Sequence, residues 1–213
     1  MASNRGKFIT LEGMDGAGKS THIQTIESIL DATDIQHCTT REPGGTTLGE
    51  RIREVLLHAN DTPISYDAEL LLMFAARTQH IEQVIQPNLS TGTWVICDRF
   101  TDATYAYQGG GRGIADGRIA AIEQWVQNEL HPDLTLLFDL SLQTGLDRAE
   151  KRDKESDRFE LENNEYKNRV RDYYLTAQKR EPDRIKLIDA EQSLSGVTEQ
   201  VEQTINTFIE YHV

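Results

Sequence analysis

Basic residues are scarce in this chain: 22 lysines and arginines stand against 35 aspartates and glutamates, a net charge of −13 over 213 residues. A polyanion needs a basic face, so this balance argues against a nucleic-acid partner. Any phosphate the chain handles must therefore meet positive charge concentrated in one place. Long apolar runs are missing as well. No stretch approaches the roughly eighteen apolar residues that span a bilayer, so no membrane partner is expected. The opening "MASNRGKFIT" has no signal-peptide core, and the expected location is the cytoplasm. Only two cysteines occur, Cys38 and Cys97, each near the end of an apolar run. In a reduced compartment they read as strand thiols, although their even number leaves a disulfide open. Internal repeats and low-complexity linkers are also absent.

What is present is the composition of a globular α/β enzyme, with 38% hydrophobic and 27% charged residues. The length suits one domain over 1–213 with a small lid. Short apolar runs predict strands at Phe8–Leu11, Gln36–Thr40, Trp94–Cys97, Leu134–Phe138 and Ile185–Ile188. Helical stretches separate them, the longest predicted from Tyr66 to Gln86 and stopped by Pro87. Such alternation implies a parallel sheet with right-handed crossovers and ligands at the carboxyl ends of the strands. One segment changes character: "DRAEKRDKESDRFE", Asp147 to Glu160, carries five basic residues and no apolar periodicity. A solvated helix face is the plain reading and a mobile lid the functional one.

The stretch "TLEGMDGAGKST", Thr10 to Thr21, follows the first strand. Gly13, Gly16 and Gly18 free the backbone to turn successive N–H groups into one concavity, and from Lys19 onward Ile23, Ile26, Ile29 and Leu30 recur at helix spacing. A nest of N–H groups opening a helix is an anion site. The spacing Gly13-x-x-x-x-Gly18-Lys19-Ser20 is the Walker A pattern of nucleoside-triphosphate sites. In it Lys19 reaches the β/γ-phosphates and the Ser20 hydroxyl ligates Mg²⁺. Other strand ends carry related chemistry. Asp98-Arg99 closes "TWVICDRF"; it is either a structural ion pair or an acid for Mg²⁺ or the acceptor phosphate beside a bidentate arginine. Asp139 ends "LTLLFDL" and rivals Asp98. "TTREPGGTTLG" brings Arg41 and Glu42 to the same edge around a turn enforced by Pro43, Gly44 and Gly45. "DATYAYQGGGRG" offers aromatics and an amide in a glycine-rich loop. An Asn-Lys-x-Asp guanine motif, the mark of a GTPase switch, is not found.

Taken together, "EGMDGAGKST", "TREPGGT", "LLMFAARTQH", "CDRFTDATYAYQGGGRG" and "DRFE" resemble, in the same order, the motifs of bacterial thymidylate kinases, P-loop nucleoside monophosphate kinases. The resemblance runs from about Phe8 to the last helix. It implies a five-stranded parallel sheet flanked by helices, a homodimer, and transfer of the γ-phosphoryl of ATP to dTMP, giving ADP and dTDP for dTTP synthesis. It implies that Gly13, Met14, Asp15, Gly16, Ala17, Gly18, Lys19, Ser20 and Thr21 hold the ATP phosphates, with Asp15 near the acceptor or its metal. Ser20 and Asp98 are the implied Mg²⁺ positions. Glu42, Arg53, Arg77 and Arg99 would line the dTMP site, the last two nearest its phosphate. Phe74 would stack on thymine, with Met73 holding the alternative spacing four residues before Arg77. Thr104 and Gln108 would contact the base edge and Tyr107 would close the pocket. Eukaryotic members carry an arginine where Gly16 stands here. The charge of the transition state is then left to lid arginines, Arg152 foremost, with Arg148 and Arg158 as alternatives.

Overall fold

A computed structural model of the chain describes residues 5–58, 63–150 and 157–212. Five strands form one parallel sheet: β1 (Phe8–Gly13), β2 (His37–Arg41), β3 (Trp94–Asp98), β4 (Leu134–Asp139) and β5 (Ile185–Asp189), in the order β2-β3-β1-β4-β5. The central strands β1, β3 and β4 are almost wholly buried, as expected of parallel strands covered on both faces. Their alternation assigns each residue a layer. Ile9, Leu11, Ile96, Leu136 and Phe138 face α1 (Lys19–Ala32) and α9 (Leu194–His212), which contribute Ile26, Leu30, Val201 and Ile205. On the opposite face Phe8, Val95 and Cys97 pack with Ile85, Leu89 and Phe100, while Leu137 and Ile185 meet Tyr166, Val170 and Tyr174. The latter three come from α8 (Asn164–Arg180).

Each of the five strands runs to or past its predicted carboxyl end, because the acid or arginine there still pairs in the ladder: Arg41 with Asp98, and Asp139 with Asp189. Leu11 lies beside Asp98 and Gly13 beside Phe138. The loops that carry chemistry therefore leave one edge of the sheet. Cys38 and Cys97 are free thiols on neighbouring strands.

One expectation is corrected. Pro87 does not stop the long helix. The helix runs as α3 (Tyr66–His80), widens into a π-helical turn at Ile81–Ile85, and continues as α4 (Gln86–Ser90). Proline sits in the first turn of this last segment, directly after the wider turn, and the carbonyl of Val84 in that turn accepts from the Asn88 side chain at 2.8 Å. Of the charged segment, Asp147 to Glu150 complete a helix, α7 (Leu142–Glu150). The remaining elements are α2 (Thr47–His58), α5 (Thr101–Thr104) with a π-helical turn at Tyr105–Gly111, and α6 (Asp116–Gln127).

Candidate active site

The glycine loop is held by close packing as much as by its turns. Gly13 has φ 130°, and a Cβ there would stand 2.3 Å from the carbonyl oxygen of Phe138 in β4. Gly16 has φ 82°, and its Cβ would meet the Gly145 oxygen of α7 at 2.7 Å. Any side chain at either position would lift the loop off the sheet edge. Gly18, with φ 89°, is the N-cap of α1. Lys19 then folds back, Nζ donating to the carbonyls of Gly13 and Met14 at 3.1 Å each. Burial pushes its ammonium below the ordinary lysine value and nearby Arg99 adds to this, against the pull of Asp98, Asp15 and Glu12.

A cavity of about 510 Å³ opens over this loop. Asp15 to Thr21 line one end, and Glu42, Arg53, Met73, Arg77, Arg99, Thr104, Tyr107 and Gln108 line the other. Of the loop residues, Met14 turns instead into a smaller hollow of about 140 Å³ beside Leu142 and Tyr166, and Gly13 presents its carbonyl to Lys19. Arg99 joins the two ends. Its backbone is left-handed, φ 70°, a conformation that strains a non-glycine residue by about 1–2 kcal/mol. Its N–H donates to Leu11 O at 3.0 Å. The guanidinium lies 4.9 Å from the ring centroid of Tyr107. It donates to Asp15 Oδ1 at 3.0 Å and to Tyr174 Oη at 3.3 Å. The glycine loop and Arg99 thus share one space.

The two rival acids differ in their freedom. Both oxygens of Asp139 are taken by Arg171, at 2.7 and 2.9 Å. Asp98 lines the cavity, and its buried Oδ1 has no hydrogen-bond partner among the described residues. No group of three or more acidic, histidine or cysteine side chains gathers as a metal cage among the described residues. An Mg²⁺ here would be held by Ser20 and Asp98 with substrate oxygens and waters, the usual habit of that ion. An orphaned buried carboxylate oxygen fits such a role.

Three other positions differ from expectation. Arg77 is only 2% exposed and every nitrogen is bound: Nε to Glu42 Oε2 at 2.7 Å, Nη1 to Gln127 Oε1 at 3.4 Å, and Nη2 to Phe100 O and Thr104 Oγ1. Its guanidinium lies between the rings of Phe74 and Phe100 at 4.8 and 4.9 Å. It is held as part of the pocket wall and lines the cavity together with Arg99 and Arg53. Phe74 is likewise buried with Leu70, Ile114 and Ile119 and does not line the cavity, whereas Met73 does. One residue along a helix turns the side chain by about 100°, and the spacing four before Arg77 is the one that faces the cavity. Among the lid candidates, Arg158 turns away from the cavity: it pairs with Glu69 at 2.7 Å and donates to Leu56 O at 2.9 Å. Arg148 lines the cavity, with Nη1 donating to Ala190 O at 3.0 Å. Arg152 lies outside the described residues.

Glu12, Tyr174 and Glu69 escaped the sequence reading. Glu12 accepts from the backbone N–H of Phe100 at 2.8 Å and from Tyr174 Oη at 2.7 Å, tying the Arg99 turn to β1 and α8. Its position at a strand end, directly before the glycine loop, was the available signal.

Against this geometry, the thymidylate kinase family profile matches residues 11–201. The chain belongs to the thymidylate kinase family. A family member from Pseudomonas syringae pv. tomato is 54% identical over 96% of this chain and 97% of its own. One from Vesicomyosocius okutanii is 53% identical over 92% and 96%. The crystal structure of the Ehrlichia chaffeensis thymidylate kinase superposes with a TM-score of 0.75 at 30% identity, covering 95% of this chain and 99% of that one. The family's chemistry is that of a nucleoside monophosphate kinase, a phosphotransferase. No helix among the described residues is long and apolar enough to cross a membrane.

Proposed function

We propose that the chain acts as one kinase domain with a lid at about 147–160, transferring the γ-phosphoryl of ATP to dTMP. The observation that carries this is one cavity lined by Lys19 of the glycine loop, by Asp15 and by Arg99 of the facing wall, with Arg99 donating to Asp15. Phosphoryl transfer asks for alignment and for cations around spreading negative charge, with little covalent work for the protein. The loop N–H groups and Lys19 hold the donor phosphates. On entry of a phosphate, Lys19 exchanges the carbonyls of Gly13 and Met14 for phosphoryl oxygens. Arg99 and Arg53 grip the acceptor phosphate, Asp15 keeping the Arg99 guanidinium aimed along the transfer line. Met73 covers the thymine face, while Gln108 and Thr104 read its edge. Mg²⁺, held by Ser20 and Asp98, would neutralise donor charge. Arg148 supplies charge from the lid side, and closure there excludes the water that would otherwise hydrolyse ATP.

Assembly as a homodimer in the cytoplasm belongs to the same reading. It is supported by apolar side chains left exposed on adjoining helices, Leu48 and Val55 of α2 and Leu71 of α3, and light scattering would read the mass. The decisive assay is ADP release from ATP with dTMP, dUMP, dCMP, AMP or no acceptor. Release that depends on dTMP and ranks it first is the expected outcome. Release without an acceptor, or preference for AMP, would overturn the assignment.

A further inference from the structure

A carboxylate behind the base pocket fixes which atom of Gln108 is offered to a ligand. Glu69 of α3 is fully buried. Its Oε1 accepts from Gln108 Nε2 at 2.9 Å and from Arg112 Nε at 3.2 Å. Its Oε2 accepts from Arg112 Nη2 at 3.2 Å and pairs with Arg158 at 2.7 Å. Every described partner of the carboxyl is a donor, Gln108 Nε2 and the guanidiniums of Arg112 and Arg158, so both of its oxygens serve as acceptors. The amide of Gln108 is symmetrical in shape but not in polarity. Turning its oxygen toward Glu69 would set two acceptors face to face in a buried site, so the nitrogen is locked inward. The remaining arm, Oε1, takes no hydrogen bond from any described residue, and Gln108 lines the cavity.

Thr104 is polarised in the opposite sense. Its Oγ1 already accepts from Arg77 at 2.9 Å, which leaves the hydroxyl hydrogen to donate. Side by side the two residues offer an acceptor and a donor. Thymine and uracil present the complement, an N3–H donor beside the O4 acceptor. Cytosine presents the inverse, an N3 acceptor beside an amino group.

We propose that Glu69 is a positioning residue that fixes the polarity of Gln108, so that the site takes pyrimidine monophosphates with an N3–H and rejects cytosine. This rests on the reading of Gln108 as the residue at the base edge. Glu69→Gln lets the facing amides pair in either sense and so frees the Gln108 oxygen to turn inward. The expected result is a fall of roughly tenfold or more in the dTMP-over-dCMP ratio of kcat/KM. The change should lie in KM, with kcat for dTMP little altered. Glu69→Asp keeps an acceptor-only carboxylate and should keep most of the discrimination even where it lowers the melting temperature; a packing role alone would impair both variants alike. Gln108→Leu separates the two readings. Unchanged discrimination in Gln108→Leu removes the base-edge assignment itself. Discrimination lost in Gln108→Leu but kept in a folded Glu69→Gln overturns the role of Glu69. The wild-type protein gives an independent measurement by nitrogen-15 NMR. One Gln108 side-chain amide proton should stay protected from exchange and unshifted when dTMP is added, and its release on binding would overturn the proposal.

Discussion

Glu12→Gln isolates a single buried titration. Glu12 is fully buried between β1, α5 and α8. Burial pushes its carboxyl up from 4.5 to about 7; Asp102 adds to this, while Arg99, the Tyr174 hydroxyl and the Phe100 N–H oppose it. At 1.4 kcal/mol per pH unit, that displacement corresponds to roughly 3 kcal/mol of pH-dependent stability. The sign follows from a folded-state value raised above the unfolded one. The folded chain holds the proton more tightly, so the contribution is fully present below about pH 4.5, declines as pH rises through about 7, and is flat above. Glutamine cannot ionise and lacks this slope. It can accept from Phe100 N–H through its oxygen, while its nitrogen donates to Tyr174 Oη, which then serves as acceptor.

Urea unfolding of both proteins at half-unit steps from pH 4.5 to 8.5 would give the difference directly. All other titrating groups are shared and cancel to first order, Lys19, Cys97, Arg99, Asp102, Tyr107 and Tyr174 among them. Wild-type stability relative to the variant should fall by roughly 3 kcal/mol across that range, or roughly 6–12 °C in melting temperature for a chain of this size. Parallel profiles would refute the reasoning and leave Glu12 as an ordinary ionised carboxylate held by its three donors.

Lys19→Ala should lower kcat by about a hundredfold or more, the usual loss of one electrostatic stabiliser, without unfolding the chain; activity within tenfold of wild type would remove Lys19 from its role. Arg99→Ala should raise KM for dTMP more than it lowers kcat, since it grips a ground-state phosphate; steady-state kinetics with dTMP varied decide it. Phe74→Ala should destabilise the fold by about 3–5 kcal/mol, as for a buried aromatic, whereas Met73→Ala should leave the melting temperature nearly unchanged and raise KM for dTMP. The reverse pattern would return the stacking role to Phe74.

The contrast between these two neighbours marks how far the sequence could be read. The glycine loop was legible because its chemistry is local: the glycines, the lysine and the helix that follows lie in one short stretch, and strand alternation placed it at a sheet edge. Helix α3 was legible as a helix, but not in its rotation about its axis. Met73 and Phe74 are both apolar and adjacent, and only packing against Ile114 and Ile119 determines which one is buried. Glu69 went unread for the same reason, since the arginines that pair with it arrive from distant segments. Pro87 misled because the wider π-helical turn before it has no signature in the composition.

The charge balance links these local readings to the whole chain. Overall the chain has 22 basic residues against 35 acidic ones, yet Lys19, Arg41, Arg53, Arg77, Arg99 and Arg148 line the cavity against Asp15, Glu42, Asp98, Asp157 and Glu160. Arg77 and Glu42 bind each other at 2.7 Å, and Arg99 leans on Asp15. The cations are thus held in place by anions of the wall before any phosphate enters. Asp15 is one-third exposed while Glu42 is buried, so of these two ion pairs the one at Arg99 lies nearer to solvent.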